Sequence, residues 1–143
     1  MRSRGATTIK SLVHDAVLAL ALVCASNAES ATQDWSRWRD LQTVEVISTD
    51  EDGRARTTTV WIVVVDRQAY LRTGSTIWGG NVERTGRLKL KGEPGEYEYR
   101  AERITDPSLQ DKIMAAFRAK YGFRDRISGV IRLGKSRIFR LSE

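Results

Sequence analysis

The sequence predicts an α+β domain, mainly β, in which a small antiparallel barrel is flanked by helices. Three observations point there. Residues 87–104 alternate apolar and polar on both sides of a Gly-Glu-Pro-Gly turn, the period of paired strands. Residues 57–66 (TTTVWIVVVD) form the strongest β-branched run in the chain. Leu109, Ile113, Phe117 and Tyr121 then recur every four residues between Asp106-Pro107 and Gly122, which are the spacing and end signals of one amphipathic helix. A chain of 143 residues has room for one domain with a real core.

The first 28 residues read as a secretory signal peptide, leaving 29–143 as the folded domain. Arg2, Arg4 and Lys10 make a positive start, residues 16–25 (AVLALALVCA) an apolar run, and Ser26-Asn27-Ala28 a small-x-small cleavage site before Glu29. The apolar run is short of the roughly 20 residues of a membrane-spanning helix. After cleavage, then, no stable membrane span is expected, and the product belongs outside the cytoplasm, periplasmic or secreted. The alternatives are an uncleaved anchor or lipidation at Cys24, where the preceding Val23 is bulkier than a lipidation motif wants.

Cleavage would remove His14 and Cys24, the only His and Cys of the chain. The remaining body could then build no disulfide, Cys/His zinc site, catalytic thiol or Ser-His-Asp triad. It would work through carboxylates, hydroxyls, Arg, Lys and aromatics, or through a borrowed cofactor. The formal charge would fall from +6 to +4, because Arg2, Arg4, Lys10 and Asp15 leave with the leader. That mild bias permits a phosphate-bearing ligand without demanding one. It also lacks the basic, aromatic-interleaved stripe of a nucleic-acid binder, so no such partner is expected.

Within the body, residues 31–42 place Trp35, Trp38 and Leu41 at helical spacing after the candidate caps Ser30 and Thr32. Residues 43–49 read as a strand and Asp50-Glu51-Asp52-Gly53 as a turn. The run 57–66 is apolar on both faces over Val60–Val65, which predicts a central strand covered on both sides. Asp66-Arg67-Gln68 turns it into a hairpin with residues 69–73. Residues 74–86, with four glycines, read as a loop carrying Trp78. Arg87–Lys91 points Leu88 and Leu90 inward, and Glu96–Ile104 returns with Tyr97, Tyr99 and Ala101 on one side. After the helix, residues 130–133 and 137–141 read as short strands around Gly134-Lys135-Ser136.

Residues 53–61 (GRARTTTVW), the following IVVVD and 69–74 (AYLRTG) together resemble the flavin-binding split β-barrel superfamily, which holds pyridoxamine-5'-phosphate-oxidase-like and deazaflavin-dependent proteins. Trp78, the basic residues from Arg84 to Arg87 before RLKL, and the helix through 116–122 (AFRAKYG) continue the likeness, which runs from about Trp38 to Leu141. It is strongest to small uncharacterised single-domain members. The resemblance implies a homodimer with FMN or a deazaflavin in a groove at the subunit interface. Carried over by position, Arg56, Thr57, Thr58, Arg72, Thr73, Ser75, Trp78 and Arg84 would be the cofactor contacts. No catalytic side chain and no metal ligand is implied. Thr59 stands where relatives often carry Pro, Thr85-Gly86 where they often carry Asn-Pro, and only Lys89 comes near the oxidases' phosphate-binding lysine.

Each signal has a plainer reading. Trp61, mid-strand in an apolar run, reads as core in preference to a flavin contact. Trp78, in a glycine-rich segment, reads equally as a ligand lid, a dimer contact or packing. Lys89 and Lys91 fall on the solvated face, and Glu96, Glu98 and Glu102 read as strand partners of Arg100 and Arg103 rather than as paired catalytic acids. Gly74, Gly79 and Gly80 could admit a ligand to the backbone, although no dinucleotide or P-loop pattern surrounds them. Two functions follow: a flavin-dependent oxidoreductase with its phosphate held by arginines, or a non-catalytic exported split-barrel module binding a small ligand or a protein partner.

Overall fold

The computed structural model describes residues 33–122 and 136–143, so the leader, His14, Cys24 and the strand expected at 130–133 lie outside the described residues. Seven strands and three helices follow in order: α1 (Ser36–Arg39), β1 (Val44–Thr49), β2 (Ala55–Val60), β3 (Ile62–Val65), β4 (Gln68–Thr73), α2 (Ile77–Thr85), β5 (Arg87–Gly92), β6 (Gly95–Arg103), α3 (Pro107–Tyr121) and β7 (Arg137–Ser142). All strand pairs are antiparallel, in the order β2-β1-β5-β6-β7-β4-β3. The architecture is the α+β half-barrel with flanking helices that the sequence predicts.

The run expected to be one central strand is instead two edge strands. β2 and β3 occupy opposite edges of the sheet, yet only Trp61 separates them in the chain. Residues two apart lie at most about 7 Å from each other. The sheet must therefore curl until its two edges come together at a corner, Trp61. Double coverage holds at Ile62 and Val63, which are buried on opposite faces. Inside the curl lie Trp38, Val46, Leu71, Leu90, Phe139 and Leu141, while Val63, Tyr70 and Ile138 are covered from outside by Ile113, Phe117 and Tyr121 of α3.

The corner is held by the end of α3. The Tyr121 hydroxyl accepts from Ile62 N (3.0 Å) and lies 2.8 Å from Ile62 O and 2.9 Å from Gln42 O. Lys120 Nζ donates to the carbonyls of Arg39 (2.8 Å), Leu41 (2.6 Å) and Ile62 (2.9 Å). Helix α3 itself starts and stops as predicted: Asp106 caps Leu109 N, Pro107 stands at the first helical position, and Gly122 ends it.

Two further expectations change. The helix expected over 31–42 is a single turn, Ser36–Arg39; Trp35 at its N-terminus and Trp38 within it are both buried in the core, with Trp35 at 4.8 Å from Tyr99 and Trp38 edge-on to Tyr97 at 6.2 Å. The segment 74–86, expected to be a loop, contains helix α2. Thr76 caps it by accepting from Gly79 N, Trp78 and Val82 are buried one turn apart, and Gly86 closes it at φ +68°. Gly79 serves packing there: a Cβ would meet Thr73 Cγ2 at 2.7 Å and Thr76 Oγ1 at 3.1 Å, whereas at Gly80 it would meet nothing within 4 Å. Gly79→Ala is expected to cost about 1–3 kcal/mol and Gly80→Ala to gain up to about 1 kcal/mol, read as opposite shifts in melting temperature.

The hairpin of β5 and β6 has the register the alternation implies, Leu88 opposite Tyr99 and Leu90 opposite Tyr97. Tyr97 is nevertheless exposed, its hydroxyl on Pro94 O. The glutamates find different arginines and lysines from those expected: Glu96 pairs with Lys89, Glu98 with Arg87 and Glu102 with Arg140, while Arg103 pairs with Glu83. These exposed pairs contribute little each. Among the described residues no helix is long and apolar enough to cross a membrane.

Candidate functional site

Where the sheet edges meet, β2, the Trp61 corner and the end of β4 enclose a groove of about 290 Å³. Thr58, Trp61, Arg72, Thr73 and Phe117 shape it, with Trp78 and Thr76 of the α2 entry beside them. The groove opens where edge strand β2 comes round to the end of β4, which lies one strand in from the other edge, paired with β3 and β7.

One wall is a layered stack. Trp61 lies flat on Tyr121, ring centroids 4.4 Å apart at 6°; Phe117 follows at 6.0 Å and 22°; the Arg72 guanidinium caps Phe117 at 4.6 Å. Arg72 is buried at 7% exposure, with Nη1 3.6 Å from Met114 Sδ. A cation over an aromatic face is attracted by the ring quadrupole, more so once desolvated. Thr73 and Thr76 share a 2.6 Å hydroxyl contact at the groove's end. Behind them Arg137 donates to Gly74 O (3.1 Å) and to Glu83 (2.7 Å), fastening the turn before α2.

Tyr121 and Tyr99 are each pushed up to about 12, by burial first of all. In an unfolded chain a tyrosine ionises near 10, so above that pH the unfolded state sheds protons that the folded state keeps. Their contribution to stability is therefore complete below about pH 10 and is lost progressively as pH rises from about 10 to about 12. Chemical melts across that window should show the decline, and Tyr121→Phe should make it shallower.

A second cleft adjoins the groove and shares Thr76 with it. It presents Asp50, Glu51, Asp52, Asn81 and Arg84. Arg56 grips Asp50 with two bonds, Nε–Oδ1 at 2.8 Å and Nη2–Oδ2 at 3.0 Å, and Asn81 Nδ2 donates to Asp50 Oδ1 at 2.7 Å and to Ser48 Oγ at 3.2 Å. The Arg56 bond first, then Asn81, hold the Asp50 carboxyl below its ordinary value, so it stays ionised. Arg84 donates to the carbonyl of Thr49.

The residues singled out from sequence thus divide. Thr58, Arg72, Thr73 and Trp78 come together at the groove, whereas Arg56 bonds Asp50 and Arg84 lies in the adjoining cleft. Thr57 and Ser75 are exposed, Thr57 on the face of β2 opposite to Thr58. Of the readings given to Trp78, packing is the one its burial matches, while Trp61, expected in the core, is only partly buried. Trp78 is buried at 4% exposure against Phe139, and Trp61 is half-buried at the groove. Phe117, read from sequence only as a core residue of the helix, and Thr76 were not expected at the groove. The four-residue step from Phe117 to Tyr121 puts two aromatics on one helix face, a signal that was legible. Lys89 and Lys91 are exposed and paired with Glu96 and Glu45. Among the described residues no group of three His, Cys, Asp or Glu side chains could hold a metal ion.

Residues 35–137 match the model of a family described as an uncharacterized protein conserved in bacteria (DUF2255). The chain belongs to that family. No curated protein matches it. Solved structures with the same fold include HutZ, the heme storage protein of Vibrio cholerae (15% identity, 72% of this chain and 82% of that one, TM-score 0.58). A putative pyridoxamine 5'-phosphate oxidase of Listeria innocua is similar at 14% identity, over 71% and 83%, TM-score 0.52. An F420-H2 dependent reductase is similar at 11% identity, over 71% and 94%, TM-score 0.55. The fold is therefore the split barrel that these structures share.

A flavin or deazaflavin would have two parts to place in this fold. The ring matches the groove, which is lined by flat aromatics and hydroxyls and, at about 290 Å³, is near the lower end of small-molecule sites. A phosphate does not match the adjoining cleft. Two of the arginines expected to hold it bond Asp50 and the Thr49 carbonyl, and Asp50, Glu51 and Asp52 bring like charge.

Proposed function

We propose that this split barrel is a small-molecule-binding module that takes a planar conjugated ring, of the flavin or deazaflavin class, against Trp61 in the groove. The observation that carries this reading is the stack of Trp61, Tyr121, Phe117 and Arg72, which presents a flat, supported aromatic edge to an open slot. Thr58 and Thr73 stand where they can hydrogen-bond ring heteroatoms, and Arg72 supplies a buried positive charge toward the ring's electron-rich edge. The presence of a pyridoxamine-phosphate-oxidase-like protein and an F420-H2 dependent reductase among proteins of this fold supports that ring class. If the ring is redox-active, it supplies hydride chemistry and the chain supplies position, hydrogen bonds and exclusion of water. A homodimer completing the open side of the groove belongs to the same reading, supported by a domain-swapped dimer of similar fold.

Titrating purified protein into riboflavin and following flavin emission tests the reading. Quenching with low-micromolar affinity, weakened at least about tenfold by Trp61→Ala as befits loss of a stacking face, is the expected result. Emission unchanged at any protein concentration, for riboflavin, FMN and a deazaflavin alike, would remove it.

A further inference from the structure

We infer that the site selects a ring with a neutral, hydroxyl-rich tail over the same ring carrying a phosphate. This rests on the reading of the groove as a ring slot, and it concerns what lies next to that slot. Thr76 borders both the groove and the adjoining cleft, so a tail leaving the ring past Thr76 enters the cleft. There it meets the carboxylates of Asp50, Glu51 and Asp52, with the Arg84 guanidinium as the one cation of the cleft's lining.

Two of the three cations of this region are paired with these carboxylates, and the third, Arg84, lies in the cleft bonded to the main chain. Arg56 holds Asp50 with both prongs of its fork (2.8 and 3.0 Å), Arg54 holds Asp52 (2.7 Å), and Arg84 donates to the Thr49 carbonyl. Asn81, 5% exposed, has its amide donors on Asp50 and Ser48, fixing the carboxylate in place. A carboxylate accepts hydrogen bonds and donates none. A polyol tail, as in riboflavin, brings O–H donors that suit this lining. A phosphate brings acceptors and negative charge, which the same oxygens repel.

Riboflavin, FMN and lumichrome (the ring without the sugar tail) titrated against the full chain at low ionic strength decide the matter. Riboflavin is expected to bind at least about tenfold more tightly than FMN, a gap of one like-charge contact at short range, with the gap narrowing as salt screens the repulsion. Glu51→Gln, at an exposed position outside the Asp50 network, is expected to narrow the gap while leaving the fold intact. Asp50→Asn should narrow it further by weakening the hold on Arg56. FMN binding as tightly as riboflavin, or a gap indifferent to salt and to both substitutions, overturns the inference while leaving the ring slot standing. If none of the three ligands binds, the ring-slot reading itself falls and takes this inference with it.

Discussion

Phe117→Ala is expected to lower stability by about 3–5 kcal/mol, a fall in melting temperature on the order of 15 °C for a domain of this size. Phe117 is fully buried in the cluster that α3 makes against β3, β4 and β7. Its ring also lies between Tyr121 and the Arg72 guanidinium. Truncation therefore opens a cavity and strips Arg72 of its aromatic support in one step. Phe117→Leu separates the two effects. It keeps most of the volume, so it should cost less than half as much stability while still weakening ring binding in the groove. A Phe117→Ala variant that melts within a few degrees of wild type would mean that α3 does not cover the sheet as described.

The second large effect is expected at Lys120. Lys120→Met keeps the length and apolar stem of the side chain and removes the ammonium, leaving the carbonyls of Arg39 and Leu41 without this donor. Hydrogen bonds from a charged donor contribute about 1.5–3 kcal/mol each and are not additive, so an overall loss of about 2–3 kcal/mol is expected in urea unfolding. Burial moves the Lys120 ammonium below its ordinary pKa, and the carbonyls around it favour the charged form. Amide exchange should report the loss locally, at residues 39–44 and at Ile62, because the clamp ties the chain entering β1 to the barrel corner. Equal stability of the two proteins would show that Tyr121 alone holds the corner.

The fold was largely legible where local signals and tertiary packing agree. The β5–β6 hairpin is written in strict alternation around a turn, and α3 in Asp106, Pro107, a four-residue apolar step and Gly122. The corner at Trp61 was not legible. A run of β-branched residues looks the same whether it is one strand or two, and the bend depends on Lys120 and Tyr121 some sixty residues away. Helix α2 was hidden by its glycines. Gly79 is there because Thr73 leaves no space for a Cβ, which is a tertiary reason that local composition cannot display. The capping Thr76 and the pair Trp78 and Val82 were the available signal.

The candidate site was half legible for the same reason. Resemblance brought Thr58, Arg72, Thr73 and Trp78 to one place, since each lies on an element whose neighbours are fixed by strand pairing and helix capping. It could not tell what Arg56 does, because the function of an arginine depends on its nearest carboxylate. Asp50 lies six residues earlier, across the Asp-Gly turn, and the register of β1 with β2 brings the two together. Trp61 escaped because half of a barrel corner faces solvent, which an apolar run does not announce.

The most direct measurement is a map of backbone amide shift changes as riboflavin is added to isotope-labelled protein. The account predicts that the largest changes cluster at residues 58–61 and 72–76, the two walls of the groove, with smaller ones at Asp50 and Asn81. Changes confined to the β5–β6 hairpin or to residues 33–39, with the groove silent, would contradict it.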